Sequence, residues 1–457
     1  MKRLLLTCAF FVAALCAPAA AAAAPTFQDA GGLHVTAVNQ VNARLFAVTV
    51  TTPALPSPAQ VYVLLPPSYD SNPSGHWPVF YLLDGTSGRA SDWTTFGDAQ
   101  NVVGNREVIT VMPDITLNGN GGGWCTNWPN GAQKWETFHI DQLVPWVDTN
   151  LRTNATRGQR AIAGLSQGGF CSLSYASRHP DLFGDALGYS GAPDIYYDYE
   201  ERAGAGFIIG ATEVGLTRVP PATFFGDPIS NGINWAAHDP TSLAENLRQT
   251  HMYMYWGNGF PGPLDPDPWS GLSGASEIEG AVDRSNQGFQ SRLNALGIPA
   301  FFNAYGNGTH IWPYWKRDLQ QSIDKIMADF AQGSSNPSQF TYKSADDSYG
   351  VYGYSVATHR TAREFSTLSG ASCGDFSLAG SGSATVTTPG CFTPGANYSV
   401  TLTGPNANSS AVAVAGIDGR LVVEVPLGPA NPFQAETPQA QAAGTKVYTT
   451  NVRIQAA

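Results

Sequence analysis

Charged residues, metal-binding motifs and basic clusters are all scarce in this sequence. Only 13% of the 457 residues are charged, 35 acidic against 24 basic, and the net charge is -11. No run of lysine or arginine occurs, so we expect no phosphate-binding face and no nucleic acid partner. Neither a CxxC pair nor an HExxH motif is present. The sequence therefore gives no support for a metal site, and we expect no cofactor.

The sequence contains no apolar run long enough to span a membrane, and its most continuous apolar stretch is a short one at the N-terminus. Lys2 and Arg3 precede an apolar stretch at 4–15, and small residues follow up to Ala24. This pattern is typical of a secretory signal, and the stretch is too short to span a bilayer. We therefore expect cleavage near Ala24 and a secreted protein, extracellular or associated with the cell wall, without a transmembrane anchor.

Cysteines are few, and four of the six lie after the predicted signal. An oxidising compartment permits disulfides. Cys373 and Cys391 lie near each other in the tail and are candidates to pair. For Cys125 and Cys171 the sequence leaves open whether they pair or stay buried as thiols, because spacing does not fix connectivity.

Residues from about 45 to 335 alternate between apolar runs and segments with helical spacing. This alternation indicates a mostly parallel sheet with helices on both faces, an α/β fold. The predicted strands lie at 61–69, 79–85, 108–115, 161–164, 185–191, 252–259 and 301–308. The predicted helices lie at 135–151, where Pro145 should kink or end the helix, and at 168–179, 277–296 and about 313–331.

The composition changes at the linker-like stretch 333–339, and residues 340–457 are rich in Ser, Thr, Gly, Ala and Val. An alternating run at 397–404, a hairpin predicted around Asp418-Gly419 within 411–428, and a strand at 446–455 indicate a small all-β sandwich. The predicted organisation is a signal peptide at 1–24, an α/β domain at 25–335 and an accessory β-sandwich domain at 340–457.

Two serines match the G-x-S-x-G pattern, Ser166 in GLSQG (164–168) and Ser372 in GASCG (370–374). A nucleophile on this motif needs a strand before it and a helix after it, because the glycines let the two backbones approach at a sharp turn. Only Ser166 has both flanks. Ser166 is therefore predicted to be a nucleophile, and Ser372 a loop residue.

A serine hydroxyl is a poor nucleophile near neutral pH, so an imidazole must accept its proton. On this fold the base follows the serine in the chain and lies at the C-terminal edge of the sheet. His310, in the loop after 301–308, meets both requirements. His179 ends a helix and His251 begins a strand, which places both away from that edge.

Several carboxylates satisfy the order expected for the acid that orients the histidine. They are Asp265 and Asp267 in the loop after 252–259, and Glu277, Glu279 and Asp283 in the next helix. Spacing alone does not choose among them.

A series of motifs in shared order over most of 60–330 resembles the antigen 85-type mycolyltransferases, a branch of the esterase D-like α/β-hydrolases. The motifs are FYLLDG (80–85), WETF (135–138), GLSQGG (164–169), HDPTS (238–242), WGNG (256–259), RSN (284–286) and NGTHIWPYW (307–315). The resemblance implies the α/β-hydrolase fold. It also implies that Glu279 is the acid and that the backbone N–H groups of Gln167 and Thr86 form the oxyanion hole.

The resemblance further implies contacts to a sugar acceptor by Asp84 and by Arg89, which is displaced from the family's position. Trp124, Trp128, Trp269, Trp312 and Trp315 are candidates for an aromatic rim, with core packing as the alternative, and Trp312 is assigned to substrate binding.

The sequence departs from the family's pattern in three places. Ile311 replaces a serine that helps to bind the sugar, Cys125 stands alone where the family has a local disulfide, and the family core lacks the tail. The first and third weaken the case for mycolyl transfer to trehalose.

The sequence therefore predicts a secreted serine-dependent acyl-ester hydrolase or acyltransferase, acting on an acyl ester or glycolipid and passing the acyl group to water or a sugar. One alternative is an esterase that degrades a polymer or cell-wall esters and holds its substrate through the C-terminal domain. Another is a non-catalytic cell-surface adhesin on a hydrolase scaffold, which an intact Ser166, His310 and Glu279 set argues against.

Overall fold

The computed structural model describes residues 25–117, 119, 121–197, 219–266 and 274–457. The predicted signal peptide, Asp267 and Trp269 lie outside these ranges. Among the described helices, none is both long and apolar enough to cross a membrane.

Nine of the described strands form one sheet, in the order β1-β2-β3-β5-β4-β6-β7-β8-β9. The six strands from β5 to β9 in this order are parallel to one another, and β1, β2 and β3 add antiparallel pairs at one side. The strands are β1 His34–Gln40, β2 Leu45–Thr51, β3 Ala59–Leu64, β4 Val79–Leu83, β5 Ile109–Pro113, β6 Arg160–Leu165, β7 Asp185–Tyr189, β8 His251–Trp256 and β9 Phe301–Ala304.

Both faces of this sheet are covered. Strands β4 to β7 are buried along their whole length. Alternate residues enter opposite cores: Tyr81 lies in the cluster on one face, and Phe80 and Leu82 lie in the cluster on the other. Continuous apolar strands are what a parallel sheet between two helical layers requires. The predicted α/β-hydrolase fold is confirmed.

The α-helices span Asp92–Thr95, Ala99–Val103, Val144–Asn150, Gln167–Arg178, Gly232–Ala236, Gly274–Leu296, Trp312–Gln332 and Pro438–Ala443. Short 3-10 turns lie at Arg157–Gln159, Pro221–Thr223 and Ala244–Leu247, and a π-helix at Thr137–Leu143 runs directly into Val144–Asn150. Pro145 therefore does not end the predicted helix. It occupies the first turn of the α-helical part, where a missing N–H is tolerated, and the wider π turn precedes it.

The C-terminal strands form two antiparallel sheets around one core. Six strands pair in the order β10-β13-β14-β19-β16-β17, and four in the order β11-β12-β15-β18. Leu378 and Val452 of the first sheet and Val356 and Val425 of the second share this core, as in a β-sandwich. The strands are β10 Phe340–Ser344, β11 Ser348–Val351, β12 Tyr354–His359, β13 Ser366–Ala371, β14 Asp375–Gly380, β15 Gly382–Thr387, β16 Asn397–Gly404, β17 Ala407–Val414, β18 Val422–Gly428 and β19 Tyr448–Ala456.

The hairpin predicted around Asp418-Gly419 is wrong. The turn forms, with Gly419 at φ 71°, but β17 before it pairs with β16, and β18 after it pairs with β15 in the other sheet. The turn therefore carries the chain from one sheet to the other. A local Asp-Gly signal fixes the reversal of the chain, whereas burial of the inward-facing side chains decides which strands pair.

Candidate active site

Ser166 lies at the turn between β6 and the helix Gln167–Arg178. Its backbone has φ 53° and ψ -122°, a conformation that is unfavourable for a residue with a side chain. Two backbone hydrogen bonds hold it there: its N–H donates to Tyr189 O at 2.9 Å, and its own carbonyl accepts from Phe170 N at 3.1 Å. The hydroxyl is thereby presented at the C-terminal edge of the sheet.

The two glycines of the motif are required by close backbone contact. A Cβ on Gly164 would lie 2.3 Å from the carbonyl oxygen of Gly168, and one on Gly168 would lie 2.0 Å from the carbonyl oxygen of Asp84. Both distances are too short for any side chain, so strand and helix can meet at this turn only with glycine at these positions.

His310 brings its imidazole to the serine from the loop after β9. His310 Nε2 lies 2.8 Å from Ser166 Oγ, and His310 Nδ1 lies 2.6 Å from Glu279 Oε2. Because a carboxylate can only accept, Nδ1 carries the proton and donates it to Glu279, and Nε2 is free to accept from the serine hydroxyl. The three side chains form the hydrogen-bonded series that a proton transfer from serine requires.

Glu279 is fully buried on the helix Gly274–Leu296. Besides His310, its carboxylate accepts hydrogen bonds from the Ser190 hydroxyl at 2.8 Å and the Gly257 N–H at 2.7 Å, both to Oε1. Sequence reasoning did not single out Ser190 or Gly257. Both follow the C-terminal ends of strands, β7 and β8, so the sheet-edge rule that selected His310 would also have found them.

The other carboxylates proposed as the acid have different partners. Asp265 accepts from the hydroxyls of Thr309 and Tyr314, Asp283 accepts from Trp256 Nε1, and Glu277 is exposed. Among the described candidates, Glu279 is thus the carboxylate that contacts His310.

The loop after β4 lies directly beside the serine. A Cβ on Gly85 would lie 3.3 Å from the Cβ of Ser166, which places the following residue, Thr86, next to the nucleophile. Gln167 is the first residue of its helix, so its N–H has no acceptor in a preceding helical turn. The two residues predicted to supply the oxyanion hole therefore flank the serine.

The two residues predicted to contact a sugar acceptor differ in exposure. Asp84 is only 1% exposed and its carboxyl group lies under Gly88. Burial, with the nearby charges of Asp114 and Asp92, raises the pKa of Asp84 well above its usual value. Arg89 is exposed and its side chain lies along Gly119. The sugar contact of both residues stays a prediction.

Most of the tryptophans proposed for a rim are buried. Trp124, Trp128 and Trp315 are 6 to 7% exposed, which agrees with core packing, although the Trp315 ring also packs edge-on against His310 at 4.9 Å. Trp312 is half-buried and contacts Trp315 at 5.4 Å and the exposed ring of Phe96 at 5.5 Å between centroids. An aromatic wall thus extends from His310 to the surface.

A cluster of metal-capable side chains lies at the opposite edge of the sheet. Asp185, His251 and Asp329 are, in the described part of the chain, the one group of three whose potential ligand atoms lie within 4.8 Å of one another. His251 Nδ1 already pairs with Asp185 at 3.0 Å, and Asp329 accepts from the Tyr253 hydroxyl. Hydrogen bonds among these side chains and Tyr253 therefore account for the cluster, in which His251 is exposed.

Comparison with known proteins places this chain in a family. The Esterase family model matches residues 52–326. The chain is 30% identical over 280 residues to Esterase Rv1288 of Mycobacterium tuberculosis, and the match covers 60% of this chain and 57% of that protein's length. It is 31% identical over 269 residues to the diacylglycerol acyltransferase/mycolyltransferase Ag85B of Mycobacterium leprae, covering 54% of this chain and 76% of Ag85B.

Among solved structures, MPT51 of Mycobacterium tuberculosis matches with a TM-score of 0.49 at 24% identity, covering 62% of this chain and 97% of MPT51. The resemblance to antigen 85-type mycolyltransferases is confirmed by the match to Ag85B. The family model spans more than half of the chain and includes Ser166, Glu279 and His310, and the chain belongs to the Esterase family.

Proposed function

We propose that this protein is a serine-dependent ester hydrolase that forms an acyl-enzyme on Ser166. The hydrogen-bonded series Ser166, His310 and Glu279 is the observation that carries the proposal. Ser166 Oγ attacks the ester carbonyl carbon while His310 Nε2 takes its proton, and Glu279 stabilises the imidazolium that forms. His310 then gives this proton to the leaving alcohol as the carbon–oxygen bond breaks.

The second half of the reaction repeats the same steps with water. His310 takes a proton from water as it attacks the acyl-enzyme, and then returns a proton to Ser166 Oγ as the free acid leaves. In both halves a negative charge develops on the carbonyl oxygen. The backbone N–H groups of Thr86 and Gln167 are the donors proposed to stabilise it.

The residues around the site favour water over a sugar hydroxyl as the acceptor. Ile311, next to the histidine, offers an aliphatic side chain where antigen 85-type proteins have a serine, and Asp84 is buried. A sugar needs polar side chains to replace its hydration. Hydrolysis is therefore the first proposal, and acyl transfer to a sugar hydroxyl is the second.

One assay tests both reactions. Purified protein and the variant Ser166→Ala are given p-nitrophenyl esters of several chain lengths, with and without trehalose. We expect free acid from the wild type and a loss of about 10⁴-fold or more in kcat for the variant. A sugar ester as main product would favour transfer, and equal activity in wild type and variant would contradict the proposed mechanism.

We also propose that the protein is exported. The signal-like segment at 1–24 supports this, as do the disulfides Cys125–Cys171 and Cys373–Cys391, which persist in oxidising compartments. The test is fractionation of the producing cells followed by N-terminal sequencing. Protein outside the cells that begins near residue 25 is expected, and full-length protein confined to the cell interior would contradict export.

The alternative of a polymer-directed esterase is favoured by a groove on the C-terminal region. The outward side chains of four neighbouring strands, β13, β14, β19 and β16, line a groove of about 730 Å³. Its lining includes the polar residues Ser377, Thr401, Asn451, Asp375 and Arg453. Hydroxyl, amide and charged groups of this kind suit a chain rich in hydroxyl groups, such as a polysaccharide.

Point variants test this alternative better than truncation. Arg178, whose guanidinium is bonded to Glu136, also pairs with Asp346 of the C-terminal region at 2.9 Å, so deleting residues 340–457 would leave a buried network incomplete. The variant Asp375→Ala/Asn451→Ala/Arg453→Ala should keep activity on soluble esters and lose retention on an insoluble polysaccharide. Unchanged retention would contradict a substrate-holding groove.

A further inference from the structure

The side chain of Gln167 lies between two loops that border the nucleophile. It is 2% exposed. Its carboxamide is 2.8 Å from Thr86 Oγ1, 3.0 Å from the backbone nitrogen of Gly123 and 2.7 Å from that of Trp124. One side chain thus connects the loop after β4 with the glycine-rich turn at 121–125.

Hydrogen bonding fixes the orientation of this carboxamide. Two of its neighbours, the N–H groups of Gly123 and Trp124, can only donate, so the amide oxygen of Gln167 must face them. The amide nitrogen then donates to Thr86 Oγ1. In this orientation both lone pairs of the oxygen are used, and every contact joins a donor to an acceptor.

The turn held by Gln167 has an unfavourable backbone. Trp124 has φ 46° and Cys125 has φ 53°, and non-glycine residues persist in this region only when their surroundings hold them. Cys125 is bonded to Cys171, four residues after Gln167 on the same helix. Residues four apart share a helix face. This face therefore holds the turn in two ways, through the Cys125–Cys171 disulfide and through the hydrogen bonds of the Gln167 carboxamide.

We propose that the Gln167 side chain is a positioning residue for the oxyanion hole. The inference rests on the proposed acyl-enzyme mechanism, in which the Gln167 N–H is one donor and the Thr86 N–H is the other. Gln167 supplies the first donor through its backbone, and its side chain holds Thr86, which supplies the second. The carboxamide thereby sets the distance between the two donors.

Loss of the Gln167 carboxamide should affect the transition state and not the bound ester, because the negative charge on the carbonyl oxygen develops only in the transition state. A displaced Thr86 N–H weakens the stabilisation of this charge and leaves binding of the neutral ester nearly unchanged. Loss of the carboxamide therefore lowers kcat and leaves KM nearly constant. A residue that only stabilised the fold would lower the amount of active protein without weakening the binding of a transition-state analogue.

The test uses the full-length protein and the variant Gln167→Met, which keeps length and volume but removes all three hydrogen bonds. We expect kcat to fall about 10- to 100-fold with KM within about threefold, less than the ~10²–10³-fold loss of a complete donor. The inhibition constant of a boronic acid, which forms a tetrahedral adduct with the serine, should rise by a similar factor. Circular dichroism measures the folded fraction, by which each kcat is corrected.

A second variant guards against poor folding of the first. Thr86→Val removes only the hydroxyl that Gln167 contacts and should also lower kcat and weaken boronate binding. If both act through the same contact, Gln167→Met/Thr86→Val loses less than the product of the two separate losses. Independent, multiplicative losses would overturn the proposal.

A matched control lies on the same helix. Ser177 is buried, and its hydroxyl donates to the carbonyl of Ser174, so Ser177→Ala perturbs the helix without touching the loops and should leave kcat and boronate binding unchanged. Unaltered kcat and boronate affinity in Gln167→Met would overturn the inference. If instead the wild type were no more active than Ser166→Ala, the proposed function itself would fail.

Discussion

His310 Nε2 lies 2.8 Å from Ser166 Oγ, although 144 residues separate the two along the chain. They meet because β6 and β9 run parallel in one sheet, so the loops after both strands emerge at the same edge. The ends of β7 and β8, which lie between them, supply Ser190 and Gly257 to Glu279. Four neighbouring strands thus position the whole series.

Replacing the acid tests its assigned role. Glu279 Oε1 accepts from Ser190 and Gly257, whereas Oε2 faces His310 Nδ1 alone, so in Glu279→Gln the amide oxygen keeps the first two donors and the amide nitrogen faces Nδ1. Nδ1 must then accept, which puts the imidazole proton on Nε2, where it can no longer take the proton of the serine hydroxyl. We expect kcat to fall about 10³- to 10⁴-fold, as when the acid of a serine triad is made an amide. Asp265→Asn, at a carboxylate that contacts Thr309 instead of His310, is the control and should lose less than about tenfold. Equal losses in the two variants would contradict the assignment of Glu279.

The hydrogen bond from Ser190 to Glu279 should also contribute to the free energy of unfolding of the protein. In Ser190→Ala a fully buried carboxylate loses one of its donors, which costs about 1.5–3 kcal/mol for a hydrogen bond to a charged group. Urea unfolding measures this loss. The control Ser291→Ala removes an exposed serine hydroxyl from the same helix as Glu279 and should change the free energy of unfolding by less than about 0.5 kcal/mol.

A buried carboxyl group behind the site makes stability depend on pH. Burial raises the pKa of Asp318 to about 7; the charge of Glu279 adds to this, and Arg317 opposes it. Between about pH 4, where the unfolded chain titrates, and pH 7, the folded protein holds a proton that the unfolded chain has lost. The free energy of unfolding contributed by this group therefore falls as the pH rises through that window.

Asp318→Asn stays neutral at every pH and removes this dependence. From pH 5 to pH 8 the wild type should lose about 2–3 kcal/mol of stability that the variant keeps. The titratable groups near Asp318 are unchanged in the variant; they are Arg317, Glu279, Tyr189, Tyr255 and Tyr305. Urea unfolding at both pH values is the measurement, and parallel losses in the two proteins would contradict the prediction.

The two disulfides should differ in their effect on catalysis. Cys125→Ala/Cys171→Ala and Cys373→Ala/Cys391→Ala each remove one, and each should cost about 2–4 kcal/mol of unfolding free energy. Only the first pair holds the turn that Gln167 contacts, so only the first should also lower kcat of the folded protein. Thermal unfolding and kcat of both variants are compared, and equal kcat would contradict the role of the turn.

The parallel strands β4 to β9, the longer helices and the serine turn could be predicted because their signals are local. Continuous apolar runs predict buried parallel strands. The glycines around Ser166 predict the sharp turn, because Gly164 and Gly168 lie too close to neighbouring backbone for any side chain. His310 followed from chain order and sheet edge. The strands and the serine turn need only neighbouring residues in sequence, whereas His310 also needs the order of the predicted strands in the chain.

The acid and its partners depend on contacts between distant segments. Several carboxylates shared the order expected for Glu279, and what distinguishes it is complete burial with three donors around it, which spacing does not reveal. The same limit applies to the side chain of Gln167, whose contacts come from two other loops. At Asp418-Gly419 the local signal predicted the turn correctly, but it did not predict the strand pairing. β17 and β18 pair with β16 and β15 because packing of their inward-facing side chains decides the partners.

The most direct test of the central claim is covalent labelling of the serine. Full-length wild type, Ser166→Ala and His310→Ala are treated with a fluorophosphonate, and the modified peptide is identified by mass spectrometry. We expect one adduct, on Ser166, in the wild type, none at that position in Ser166→Ala, and labelling slowed by about 10³-fold or more in His310→Ala. A wild type that stays unlabelled, or one labelled equally fast without His310, would contradict the account.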